Sequence, residues 1–243
     1  LRGLVGSEMC IRDSIKSALE KLKSKGVEEL LLAPLFPHHA QATTESSTKE
    51  ALLNLSKMNW HPKISELGHF EDDPAFIDPL VNSIKPHIKD NIHILFSFHG
   101  LPVSHVKRSD KTGTHCQIVD GCCSIKKDAN SMCYGHHCNM TVKAVVKKLG
   151  ISEKDWSISY QSRLGPAKWL KPSTISVVEE LAKTDSDVVI VSPAFLADGL
   201  ETLEELEIEV KEHFIEHGGK NLTVVSCLND NPDWIKGLST LVN

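Results

Sequence analysis

The sequence predicts an α/β protein of parallel sheets flanked by helices, divided into two units. Helix-patterned and strand-patterned segments alternate along almost the whole chain, which is the signature of parallel strands joined by crossover helices. The strand candidates are short apolar runs ended by Gly or Pro, as buried parallel strands read. At 243 residues the chain has room for one large α/β domain or two small ones, and a boundary near Asp90 divides it into two units with a cleft between them.

In order, Ile15–Lys25 has helical apolar spacing and stops at Gly26, and Val27–Pro34 reads as a strand. A helix over Thr43–Lys57, a short strand over Ile64–Leu67 and a helix over Pro74–Lys89, with proline near its start, follow. Asn91–Phe98 is the next strand. After a long loop, Thr141–Leu149 is helical and Gly150 suits its C-terminal cap. Trp156–Gln161 is a strand, Ser173–Lys183 a helix and Val188–Ser192 a strand. Glu201–His217 is a helix stopped by Gly218-Gly219, Leu222–Cys227 a strand and Pro232–Leu241 a closing helix, expected to pack back on the first unit.

Composition narrows the function classes. A net charge of −5 gives no global basic field for nucleic acid or an anionic membrane. No apolar stretch approaches the ~18 residues that span a bilayer, although a few exposed apolar side chains would suffice for a peripheral membrane contact. Without a secretory leader pattern, a cytoplasmic location is expected. Residues 1–14 resemble a translated sequencing-adapter remnant and are set aside with Cys10.

Two strand-end loops carry the candidate chemistry. His99 closes the apolar run Ile92–Phe98 and precedes Gly100-Leu-Pro102, and ligands of open α/β sheets bind at such carboxyl ends. After the strand ending at Ser192, Glu201, Glu205 and Glu209 lie four apart and share one face of an α-helix. Solvated acidic rows are common, yet like charges at this spacing cost a helix about 0.2–0.5 kcal/mol per pair. Carboxylates suit a hydrated divalent ion and imidazole suits iron. Gln161-Ser-Arg163 follows another strand, where Arg163 could pair with a carboxylate ligand or form a structural ion pair. His38 and His39 read as polar loop residues, Trp169 as packing, and Cys227 as a buried strand residue.

Five of seven cysteines (116, 122, 123, 133 and 138) fall within one segment, and without an export signal such a group reads as a metal site. The intervals of five, nine and four residues fit the usual zinc pairs only at Cys133/Cys138. Four thiolates also satisfy a [2Fe–2S] cluster. The region Ser104–Cys138 is long, polar and aperiodic, as functional loops are.

Four motifs, in order, resemble the ferrochelatase family: Pro34-Leu-Phe-Pro37 with Ala42-Thr-Thr-Glu-Ser-Ser47; Ser97-Phe-His-Gly-Leu-Pro102; Tyr160-Gln-Ser-Arg-Leu-Gly165; and Pro193–Leu206. The resemblance runs from Ile15 to the end. It implies two Rossmann-like units of the chelatase type, with 15–90 the remainder of the first, 91–243 the second, and the cysteine-rich insert over 104–138. It implies insertion of Fe²⁺ into a porphyrin, protoporphyrin IX being expected, with release of two protons. His99 and Glu201 match the family's iron-binding or catalytic residues. Glu205 and Glu209 continue the acidic line as an iron path, and Ser97 and Arg163 are read as porphyrin contacts. Gly199 stands where some relatives carry histidine. Similarity to bacterial members with an internal cysteine insert favours a [2Fe–2S] cluster, its ligands read as Cys116, Cys123, Cys133 and Cys138, with Cys122 spare and His115, His136 and His137 as substitutes. The first third of a usual family member is expected to be missing. The rival readings are a cobalt or nickel chelatase, and a non-catalytic iron–sulfur or haem-binding sensor.

Overall fold

The structure, a computed structural model, describes residues 15–243; the adapter-like stretch and Cys10 lie outside them. The chain clusters into two compact units, one over residues up to 35 and 40–68, the other over 36–39 and 69–241.

In the smaller unit, helix α1 (residues 15–24) ends at Gly26, whose φ of +68° is open to glycine without strain. Strand β1 (Glu29–Leu32) pairs in parallel with β2 (Lys63–Glu66). Leu19, Leu30 and Leu55 form the buried centre, with Ile15, Leu22 and Trp60 packed around them. The helix expected over Thr43–Lys57 begins instead as a π-helix, Gln41–Glu45, and becomes α-helical as α2 (Ser46–Lys57). The hydroxyls of Ser46 and Ser47 bond back to the carbonyls of Ala42 and Thr43, so the Ser/Thr run competes for the acceptors of the first turn.

The larger unit holds a four-stranded, all-parallel sheet in the order β4-β3-β5-β6. Its strands are β3 (Ile92–His99), β4 (Trp156–Gln161), β5 (Asp187–Val191) and β6 (Leu222–Val224). Central β3 is buried at six of its eight residues, which explains its unbroken apolar run. Helices α3 (Pro74–Ile84), α4 (Val103–Lys107), α5 (Tyr134–Leu149), α6 (Thr174–Leu181), α7 (Lys211–Glu216) and α8 (Pro232–Val242) complete the unit. Leu95 and Ile190 of the sheet pack with Val178 of α6, Phe214 of α7 and Leu206 in one fully buried cluster. Burying a side chain of this size is worth roughly 1.5–3 kcal/mol. Phe70 stacks on Trp234, and Phe76 meets both rings edge-on, tying α3 and α8 into the same unit.

Further expectations change in the larger unit. Helix α5 starts at Tyr134, seven positions before Thr141, because Cys133 serves as its N-cap. The segment Glu201–Val210 is a π-helix, and only Lys211–Glu216 is α-helical. Strand β6 stops at Val224, leaving Cys227 half-buried beyond it, its amide bonded to Asp198. Gly150 caps α5 in the left-handed conformation, as the sequence predicts.

Among the described residues no helix is long and apolar enough to cross a membrane.

Candidate active site

The carboxyl ends of β3 and β4 lie side by side, with His99 in register with Gln161. Gly100 follows, and a Cβ there would come within 2.7 Å of the Gln161 carbonyl, so only glycine lets the two strand ends approach this closely. The imidazole of His99 is half-buried and meets the ring of Phe195 edge-on at 6.0 Å. Burial lowers its pKa, and the negative charges of Glu201 and Glu205 oppose the shift without cancelling it. At neutral pH the ring is therefore uncharged, with a lone pair free to take a proton or an ion. The backbone carbonyl of His99 accepts from the Tyr134 hydroxyl at 2.8 Å.

Glu201 opens the π-helix, a geometry that recurs at functional sites. Its wider turn replaces the α-helical face assumed for Glu201, Glu205 and Glu209. The helix start is held from outside by the end of β4. Gln161 donates through Nε2 to the Glu201 carbonyl at 2.9 Å. Ser162, at φ +61°, donates its amide to one Glu205 oxygen at 2.6 Å and its hydroxyl to the other. Such backbone is costly for a side chain other than glycine, and the Glu205 clamp holds it there. Glu201 and Glu205 are half-buried, and Glu209 is exposed. Gly199 lies against the Glu201 carboxylate; a Cβ there would stand 3.3 Å from Oε2.

The remaining sequence-predicted contacts divide. Ser97 has no exposed surface; its hydroxyl lies 2.7 Å from Gln161 Oε1 and 2.8 Å from the Thr174 hydroxyl. It is an internal strut, not a surface a porphyrin could touch. Arg163 is exposed and makes no salt bridge among the described residues. His38 and His39 are buried: His38 Nε2 bonds Thr141 at 2.8 Å, and the His39 amide donates to His137. Trp169 packs over Gly100. Gln161, Ser162 and Tyr134 are the residues that sequence reasoning passed over. The signal available for Gln161 was a buried polar residue closing an apolar strand.

The cysteine loop is folded around its sulfurs. The Asp110 carboxylate accepts from the amides of His115 and Cys116, and the Asn130 amide group donates to the carbonyls of Cys122 and Ile125. His115 and His136 hold the Cys122 and Cys123 carbonyls at 2.8 Å, so each spends one ring nitrogen on the loop backbone. The sulfurs of Cys122 and Cys123 are 3.8 Å apart. Cys133 pairs with Cys123, and its pKa is lowered by that bond and by the Gly135 and His136 amides at the start of α5. Burial, reinforced by Cys133 and Cys122, pushes the Cys116 thiol up to about 11. Cys138, fully buried one turn along α5, pairs with the Tyr134 hydroxyl instead. Cys116, Cys123 and Cys138 are all influenced by Cys133, the first two from the loop and Cys138 from α5. A Cβ at residue 135 would stand 2.9 Å from the Cys123 sulfur, so glycine there leaves the sulfurs their space.

The fold is shared with SirB from Bacillus subtilis, solved with Fe³⁺, which the backbone matches at a TM-score of 0.58 and 16% identity, over 93% of this chain and 77% of that one. Sequence comparison is more specific. The family model for ferrochelatase matches residues 9–243, beginning at Met9 inside the stretch set aside as adapter-like. The ferrochelatase of Pseudomonas fluorescens strain Pf0-1 is 41% identical over 231 residues, covering 94% of this chain and 68% of that protein. The ferrochelatase of Bdellovibrio bacteriovorus is 40% identical over 232 residues, with the same coverage. This chain belongs to the ferrochelatase family.

Proposed function

We propose that this chain inserts Fe²⁺ into a porphyrin to form haem, with His99 and Glu201 as the working pair. What supports this assignment is the convergence of two remote segments: Gln161, in register with His99, donates to the Glu201 carbonyl at 2.9 Å, and the Glu201 and Glu205 charges oppose the burial that lowers the His99 pKa. The reaction must remove two protons from pyrrole nitrogens as Fe²⁺ takes their place. Neutral His99 accepts one pyrrole proton, passes it to solvent and then accepts the second, and the Glu201 carboxylate supplies an oxygen ligand to the arriving ion. Glu205 and Glu209 extend the acidic line toward solvent, with Glu205 also holding the Ser162 turn. That turn presents Arg163, which pairs with a porphyrin propionate.

The donor set of the loop suits a [2Fe–2S] cluster: Cys122 and Cys123 are 3.8 Å apart, Cys133 bonds Cys123 and is favoured as thiolate, and a glycine stands where a side chain would intrude. Cys116, Cys122, Cys123 and Cys133 would hold it. When bound, such a cluster supplies a one-electron centre and a covalent brace for the loop. Reduced thiols of this kind belong in the cytoplasm, where we place the reaction.

The test is anaerobic haem formation from protoporphyrin IX and Fe²⁺. The chain should turn over, and His99→Ala should slow it by about 10²–10⁴-fold. Unchanged turnover in that variant contradicts the assignment, and a preference for cobalt or nickel over iron would move the chain to another metal specificity.

A further inference from the structure

Away from His99, two groups of imidazoles and carboxylates among the described residues bring ligand atoms within 4.8 Å of one another: His69–Glu71–His137 and Glu179–His213–His217. They differ in how their ring nitrogens are used. His137 Nδ1 accepts from the His39 amide at 3.1 Å, and Nε2 faces the Ser131 carbonyl at 2.9 Å. A carbonyl only accepts, so Nε2 carries the hydrogen and His137 has no lone pair left. Its ring also stacks on His69, 4.3 Å away and 27° from parallel. This group is an internal hydrogen-bond network around buried Glu71.

The second group is open. His213 and His217 stand four residues apart at the end of α7, hence on one side of the helix, and Glu179 reaches them from α6. His217 Nδ1 lies 2.8 Å from the His213 carbonyl, so it carries the hydrogen and Nε2 keeps its lone pair. His213 Nε2 is 2.9 Å from Glu179 Oε1, and the side chains of this pair are 26% and 38% exposed, within reach of a hydrated ion. The two rings are 4.1 Å apart and tilted by 36°. A neutral His213 can shift its hydrogen to Nδ1 by exchange with water, turning Nε2 into a ligand with no net proton change.

We propose that Glu179, His213 and His217 form a second divalent-cation site, separate from the His99–Glu201 pair, that takes a borderline ion through two imidazole nitrogens and one carboxylate oxygen. Two imidazoles with a carboxylate suit zinc and its first-row neighbours over magnesium or calcium, and water completes the coordination. The π-helix that begins at Glu201 runs directly into α7, so one continuous helical stretch carries Glu201 at its start and this site at its end. The site does not depend on the ferrochelatase reading.

Equilibrium dialysis of the purified holoprotein against zinc, followed by metal analysis, tests it. His213→Ala/His217→Ala should hold one fewer zinc ion per chain than the unaltered protein, whereas His99→Ala should keep that ion. His217→Gln changes only an exposed side chain and guards against misfolding of the double variant; it should weaken this zinc by at least about tenfold. The same zinc content and affinity in His217→Gln and the double variant as in the unaltered protein would overturn the proposal.

Discussion

Replacing Gln161 by leucine probes how the fold positions the acidic end of the site. The Gln161 side chain spans from the Ser97 hydroxyl to the Glu201 carbonyl, linking β3 to the first residue of the π-helix. Leucine fills a similar space but leaves the Glu201 carbonyl without its donor, while Ser97 keeps Thr174. A buried polar group left unpaired costs about 1–3 kcal/mol. The carbonyl is only partly buried, which points to the lower half of that range, about 1–2 kcal/mol, or a fall in Tm of about 2–8 °C for a chain of this size. Loss of the anchor also frees the helix start, and misplacement of a reacting group by about 1 Å can cost up to 10²-fold in rate. Ser97→Ala is the control: it removes the internal hydrogen bonds to Gln161 and Thr174 and keeps the link between Gln161 and Glu201. Thermal denaturation with anaerobic haem formation should therefore show both variants destabilised but only Gln161→Leu slowed. Equal slowing in both, or full activity in Gln161→Leu, refutes positioning by Gln161.

Three further outcomes follow from the same geometry. Burial lowers the pKa of His38 to about 3 and that of His137 to about 4, against 6.5 for the unfolded residue. Between pH 6.5 and 4 the unfolded chain binds protons that the folded chain refuses, so stability falls on acidification by up to about 1.4 kcal/mol per pH unit for each histidine. His69, raised by its bond to Glu71, acts in the opposite sense, its contribution fading as pH climbs through its folded value. Urea denaturation across this range should slope accordingly and flatten in His38→Gln; a level profile in the unaltered protein contradicts the burial argument. Cys122→Ser should abolish sulfide content and visible absorption of anaerobically purified protein, while Cys138→Ser should retain both; the reverse pattern would restore Cys138 as a ligand. Arg163→Ala should raise the KM for porphyrin with little change in kcat, and an unaltered KM removes Arg163 from the porphyrin site.

What the sequence disclosed depended on whether a signal was local. Strand β3 was readable because a central parallel strand is buried on both faces and so shows an unbroken apolar run. Gly150 was readable because a left-handed cap needs the residue that tolerates positive φ. The start of α5 was hidden, since Cys133 is an unusual N-cap and Tyr-Gly-His-His carries no helical period. The π register after Leu200 was equally invisible: spacing by four fits both helix types, and the partners that hold the π-helix, Gln161 and Ser162, come from another strand. Ser97 sits in a signature motif, but nothing in a motif tells which face of a strand a hydroxyl occupies. His99 and Glu201 are singled out by strand-end position and family likeness, and in the structure the Glu201 charge opposes the lowering of the His99 pKa by burial.

A double-mutant cycle on haem formation tests the central claim most directly. Rates are measured under anaerobic single-turnover conditions for the unaltered chain, His99→Ala, Glu201→Gln and the combined variant. If the imidazole and the carboxylate act on one metal-insertion event, the combined loss should fall short of the sum of the single losses by about 0.5–3 kcal/mol. Losses that simply add would mean that the two residues work independently, and the shared site would not exist.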